Sequence, residues 1–254
     1  MQFDKLFRTL GPVMAMAMAA GVSGCGNAKF HMGDKQGVAL ADLDLSGDAP
    51  DSINLVGPDI VRITEGADFT IALEGDDEAR DRVRFLLEDD TLSILRDGED
   101  WSRGNQATVT VTMPAPRHLV LAGSGKIFSD ALAAKAEVTI AGSGKVETPS
   151  IAVESLEVNV MGSGRYRAGG TAGRLDLSIA GSGEADMAGL KVGKADISIA
   201  GSGDTTFASD GKVDAKIMGS GNITVRGSAR CKVKSFGSGS LTCERGETVE
   251  NEEA

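Results

Sequence analysis

Along the second half of the chain, apolar and polar residues alternate with a period of two, and the alternation restarts at each Gly-Ser-Gly triplet. The triplets begin at Gly123, Gly142, Gly162, Gly181, Gly201, Gly219 and Gly237, spaced 18–20 residues apart. Two positions before them stand Ile140, Val160, Ile179, Ile199, Ile217 and Ser235. Four before stand Val138, Val158, Leu177, Ile197, Ala215 and Val233, and six before stand Ala136, Leu156, Leu175, Ala195, Val213 and Cys231. The residues between them are polar, from Glu137 and Thr139 in one copy to Lys232 and Lys234 in the last. Four positions after the first Gly the chain is mostly apolar again, at Ile127, Val146, Tyr166, Ala185, Thr205, Ile223 and Leu241. Period two marks strands with one buried face. Each repeat is therefore predicted to hold a strand, a kink at the triplet, a second strand and a turn such as "RAGGTAGR" or "ASDG".

A repeat this short cannot bury its own face, so copies must stack, each coil pairing with the next at about 4.8 Å. The same columns stay apolar in every copy, which stacked coils require and an antiparallel meander does not. The expected fold is all-β: a single-chain parallel β-helix, or β-solenoid. The triplet supplies its corner, because glycine tolerates positive φ and close backbone approach. The serines are expected to form a ladder of hydrogen bonds along the stack.

Residues 38–116 lack the triplet and are read as irregular first coils that cap the solenoid, with 117–245 forming the regular part. Within them "DDEARDRV" reads as one helical turn and "LLEDDTLSIL" as a hairpin across Asp89 and Asp90. Residues 246–254 form an acidic tail.

The N-terminus changes the cellular picture. Lys5 and Arg8 precede an apolar run from Leu10 to Ala20, too short to span a bilayer of about 30 Å but suited to a secretory leader. Val22-Ser23-Gly24-Cys25 resembles the lipobox of bacterial lipoproteins, which implies a signal peptide over 1–24, lipidation of Cys25 and a tether over 25–37. The mature protein would then be anchored to a membrane without spanning it. Gly26 stands where Asp tends to mean retention at the inner membrane, so the resemblance points to the outer membrane of a Gram-negative envelope. Which side of it the protein faces stays open.

The formal charge is −11. The leader carries Asp4, Lys5 and Arg8, so its loss leaves −12. Such a chain repels phosphate backbones, which argues against nucleic-acid binding, and its net charge opposes adhesion to anionic lipid. With Cys25 lipidated, Cys231 and Cys243 remain as a pair, read either as a disulfide closing the final coil or as two packed thiols.

Further motifs carry a family resemblance. "LSGDAPDSINLVGPDIVRITEGADFTIALEGDDE", then "VTVTMPAPRHLVLAGSGKI" and the triplet repeats, resemble the putative auto-transporter adhesin, head GIN domain family over about residues 38–245. The resemblance implies a right-handed parallel β-helix in a secreted or lipidated envelope protein. It carries over no reaction and no catalytic residues.

The candidate chemistry is thin. "GSGK" is not a phosphate loop, because Val120 and Thr139 stand where its first Gly belongs and Ile127 and Val146 follow the lysines. No cofactor or nucleotide is expected. "DLDLSGD" resembles a calcium loop, but Ile53 occupies the place of the bidentate Glu. His31 and His118 lack a set of partners for a metal site or triad.

One outward column stands apart: Glu137, Glu157, Asp176, Asp196 and Asp214, which stacking would set about 5 Å apart. It reads as a solvated face, a cation-binding ladder or, as in polysaccharide-cutting β-helix enzymes, a source of catalytic acids. The preferred reading is a non-enzymatic, lipid-anchored binding, adhesion or scaffold surface for an unknown protein or glycan. The alternatives are a polysaccharide-acting enzyme and a cation-dependent adhesin. Oligomeric state is not legible.

Overall fold

A computed structural model describes residues 37–98 and 106–250. The leader, Cys25 and His31 lie outside the described residues. Residues 37–254 form a compact unit that holds the entire described core. Its strands stack as parallel coils into a β-solenoid of about 7 turns.

The regular part begins with β7 (His118–Gly123), β8 (Lys126–Ser129) and β9 (Lys135–Gly142). It continues through β10 (Lys145–Gly162), β11 (Arg165–Gly181), β12 (Glu184–Gly201) and β13 (Asp204–Gly219). It closes with β14 (Asn222–Arg226), β15 (Arg230–Gly237), β16 (Ser240–Cys243) and β17 (Glu247–Glu250). All pairings here are parallel, and every triplet glycine meets its equivalent one coil away, as Gly162 meets Gly142 and Gly181.

The predicted turns are absent. β10 to β13 are each 16–18 residues long and run from one triplet to the next. "RAGGTAGR" is a bent strand within β11. Coil length varies at bulges, between Thr148 and Ile151, Arg167 and Gly169, Met187 and Lys191, and Val192 and Lys194. Extra residues are tolerated there because the inward columns on either side keep register.

The triplet works through its backbone. Gly142 has φ +121°, and a Cβ on it would sit 2.6 Å from the carbonyl oxygen of Gly123. From Ser143 to Ser220 the backbone N–H of the serine donates to the first glycine one coil below, as Ser143 does to Gly123 at 3.0 Å, whereas at the two end corners Gly125 and Gly239 donate to Gly57 and Gly219. Among the described residues no hydroxyl ladder joins these serines. Their side chains point to solvent, and the backbone carries the corner.

The cap is threaded out of order. β1 (Ser52–Val56) and β2 (Ile60–Glu65) come first in the chain but second in the stack. β1 lies between β7 and β5 (Thr91–Arg96), and β2 lies between β8 and β6 (Thr108–Met113). The terminal rung is antiparallel: β3 (Thr70–Glu74) pairs with β6, and β4 (Val83–Glu88) pairs with β5. Between them α1 (Asp77–Asp81) makes the single helical turn, capped by the Asp76 carboxylate accepting from the Ala79 N–H at 2.8 Å. The β4–β5 turn places Asp89 and Asp90 at φ 47° and 59°. Thus 38–116 holds two parallel coils and an antiparallel lid.

Gly57-Pro58-Asp59 is a triplet in disguise. Gly57 has φ +140°, and its carbonyl accepts from the Gly125 N–H at 2.9 Å. Asp59 occupies the inward third position, fully buried. Its carboxylate accepts from Arg96 Nε at 2.8 Å and from the Ala107 N–H at 2.8 Å, with Arg96 Nη2 completing a bidentate pair. A buried charge held this way is costly to break.

Candidate functional site on the shaft surface

The acidic column forms one straight ladder. Glu137, Glu157, Asp176, Asp196 and Asp214 are successive Cα partners, followed by Lys232. A second column two positions upstream, Lys135, Ser155, Arg174, Lys194, Lys212 and Arg230, runs equally in register and is not evident from any one strand. In a strand, i and i−2 share a face, so every acid except Glu157 has a base two residues upstream on its own strand.

Arg174 forks onto Asp176 at 2.6 and 2.8 Å and reaches Asp196 at 2.7 Å. These contacts hold its guanidinium still more firmly protonated. Lys194 approaches Asp196 at 3.3 Å and Lys212 approaches Asp214 at 2.7 Å. From Asp176 to Asp214 the ladder is therefore a charge-paired face, and among the described residues no cluster of His, Cys, Asp and Glu is arranged to hold a metal ion.

Glu157 is the exception. Its upstream neighbour is Ser155, and it accepts only from Asn159 Nδ2, at 3.3 Å. Partial burial pushes its carboxyl above the ordinary 4.5, and Glu137 and Asp176 add to the effect.

A shallow concavity of about 400 Å³ opens where the bulges fall, lined by Glu147, Pro149, Arg167, Gly169, Asp186 and Gly189. Glu147, Arg167 and Asp186 are successive register partners, and Arg167 donates to Asp186 at 3.2 Å. Beneath it Tyr166 is fully buried, its hydroxyl 2.7 Å from that of Thr148, and burial pushes its phenol up. On the next corner Asp210 joins three coils through Lys191 at 2.9 Å and Ser228 N–H at 3.1 Å, which hold it down to about 2.

His118 does have a partner. Its Nδ1 lies 3.0 Å from Ser52 Oγ, but that hydroxyl donates to Asp51 at 2.7 Å. The order Asp–Ser–His commits the hydroxyl proton to the carboxylate, whereas nucleophilic activation needs the imidazole to take it. Asp42 ends a short 3₁₀ helix, Leu40–Asp42, and Asp44 lies in the loop after it, where its carboxylate accepts from the Ser46 N–H. Cys231 and Cys243 are joined as a disulfide across the last triplet, with Cα atoms 6.8 Å apart. Cys25, the predicted lipidation site, is outside the described residues. No described helix is long and apolar enough to cross a membrane.

Three solved structures share this architecture. A putative adhesin from Bacteroides fragilis is 22% identical, with TM-score 0.71, covering 77% of this chain and 93% of that one. A putative lipid binding protein from Parabacteroides distasonis is 21% identical, with TM-score 0.60 and the same coverage. A putative adhesin from Parabacteroides merdae is 20% identical, with TM-score 0.61, covering 77% and 92%. At this identity they show the fold alone. No curated protein matches the chain. Residues 49–229, from the start of β1 through the disguised triplet and almost every coil, match one family throughout, and the chain belongs to it: the putative auto-transporter adhesin, head GIN domain family.

Proposed function

We propose that this protein is a non-enzymatic, lipid-anchored β-solenoid of the Gram-negative cell envelope, presenting its shaft as a binding or adhesion surface. The observation that carries this reading is the charge-paired ladder. Asp176, Asp196 and Asp214 each lie against a cation, so no carboxylate among these three is left as an acid–base pair of the glycosidase kind. The structure is instead a regular, rigid face several coils long, suited to an extended partner. Family membership and the naming of relatives as putative adhesins support the same direction.

Two measurements test it. Cys25→Ser should release the protein from the membrane fraction, and a variant that stayed bound would sink the anchor. Replacing Asp176, Asp196 and Asp214 singly with Asn should leave a scaffold working in each case. Loss of polysaccharide cleavage at one position alone would establish the enzyme instead. Chelation that abolished binding would establish the cation-dependent adhesin.

A further inference from the structure

The outward columns change character together at the last two coils. The acidic ladder ends in Lys232 after Asp214. The next column reads Thr139, Asn159, Ser178 and Ser198, then becomes Lys216 and Lys234. The column beside the triplet reads Ala122, Ala141, Met161, Ala180 and Ala200, then becomes Met218 and Phe236. The polar and small-residue columns change at Lys216 and Met218, and the acidic column changes one coil later at Lys232, so the three changes meet in the last two coils and mark a local surface.

The switch leaves apolar side chains in water. Met218 is 37% exposed and Phe236 is 52% exposed, two of the three large apolar residues exposed among those described. They are register partners, flanked by Lys216 and Lys234 on the same strands, with Lys232 one column further. The outer edge of β15 is covered by β17 only over Arg230–Val233, so Lys234 to Gly237 lie where no described strand covers them. The Cys231–Cys243 disulfide ties this coil together across the triplet. The apolar pair and its lysines are therefore held in place.

We infer that this end of the shaft is a docking surface for an anionic lipid bilayer, with Phe236 and Met218 entering the interface and Lys216, Lys232 and Lys234 meeting headgroup phosphates. An aromatic residue flanked by lysines matches a membrane interface, where apolar burial and attraction to anionic lipid act together. The charge of the whole chain, which opposes such adhesion, does not decide the matter, because exposed charges more than a Debye length of about 8 Å apart are largely screened. The charges are also segregated. Residues 37–98 carry sixteen acids and five bases, whereas residues 211–245 carry two acids and seven bases. A second copy of the chain offers a poorer match. Its acidic cap exposes Val38 as its one described large apolar residue, and Asp59, Asp77 and Asp97 there are already paired with arginines.

The test uses residues 37–254, the compact unit that contains the whole described core and no acyl anchor, so its outcome is independent of lipidation at Cys25. Co-sedimentation is measured with phosphatidylcholine vesicles, with and without phosphatidylglycerol. Binding is expected only with phosphatidylglycerol, and it should weaken as salt rises. The pair Met218→Ser/Phe236→Ser and the pair Lys232→Glu/Lys234→Glu should each weaken it about tenfold or more. Lys126→Glu, at the other end of the regular shaft, should leave it unchanged. All these positions are exposed, and unchanged circular dichroism would confirm that each variant folds. No binding to anionic vesicles at low salt overturns the inference, as does equal binding by wild type and both pairs. Self-association in ultracentrifugation that the same pairs abolish, without vesicle binding, would assign the surface to a second copy and also overturn it.

Discussion

The cap and the shaft are built from the same rung, yet they hold together differently. In the shaft, each coil repeats its neighbour, so stability is spread over columns such as Ile140, Val160, Ile179, Ile199 and Ile217, all buried. In the cap, the chain doubles back, inserts β1 and β2 between later strands, and fixes the crossing with the buried Asp59–Arg96 pair. Repetition makes the shaft tolerant of charge changes, and threading concentrates specificity in a few cap residues.

The largest effect should come from breaking the cap at that point. Asp59→Ala removes the bidentate carboxylate from the buried Arg96 guanidinium and should cost about 3–5 kcal/mol, read from urea denaturation. A loss below about 1 kcal/mol would show that the cap is held by its apolar rungs alone. In the shaft, the comparable weak point is the corner. Gly142→Ala must take φ +121° with its Cβ against the Gly123 carbonyl, and about 3 kcal/mol of destabilisation is expected in the same measurement. If it were neutral, the triplet would be replaceable and the repeat would need another explanation.

A smaller effect is expected at the shaft's far end. Cys231→Ser/Cys243→Ser should cost about 2–3 kcal/mol, felt in the last coil. Hydrogen exchange should then quicken in β15 and β16 and stay unchanged in β10. Equal quickening along the whole shaft would mean that the coils unfold as one unit and would erase the contrast drawn here.

The smallest is electrostatic. Glu157 has its carboxyl raised in the folded state, so folding is penalised as pH rises above 4.5, where the unfolded chain ionises more readily than the native one. Glu157→Gln should therefore stabilise by a few tenths of a kcal/mol at neutral pH, the scale of partly exposed charges, and the gain should vanish in acid. For the paired rung, Asp176→Asn should instead destabilise slightly, since it removes the Arg174 fork. Stabilisation by Asp176→Asn would show that the pairing is not felt.

Much of the shaft was legible from one strand at a time. The period of two names the inward residues, and the triplet names the corner, because each column must satisfy the same neighbours in every coil. The hairpin at Asp89-Asp90 and the helical turn at α1 were equally local. What could not be read was anything set by a neighbour distant in sequence. The corner at Gly57-Pro58-Asp59 lacks the second and third triplet residues and became recognisable only when Gly125 was found bonded to it. The acidic column was visible, but its cations were not. Arg174 stands two residues from Asp176, and its reach to Asp196 depends on a coil twenty residues away.

The sequence by itself determined that the chain is a stack of parallel coils, which residues face inward and where each coil bends, because alternation and glycine act over a few residues. Tertiary structure alone decided the order of coils at the cap, the reach of Arg174 across coils that pairs Asp176 and Asp196, and the union of Met218, Phe236 and their lysines into one surface. Those features arise from contacts about 5 Å apart in space between residues a whole coil or more apart in the chain, where register sets the neighbour.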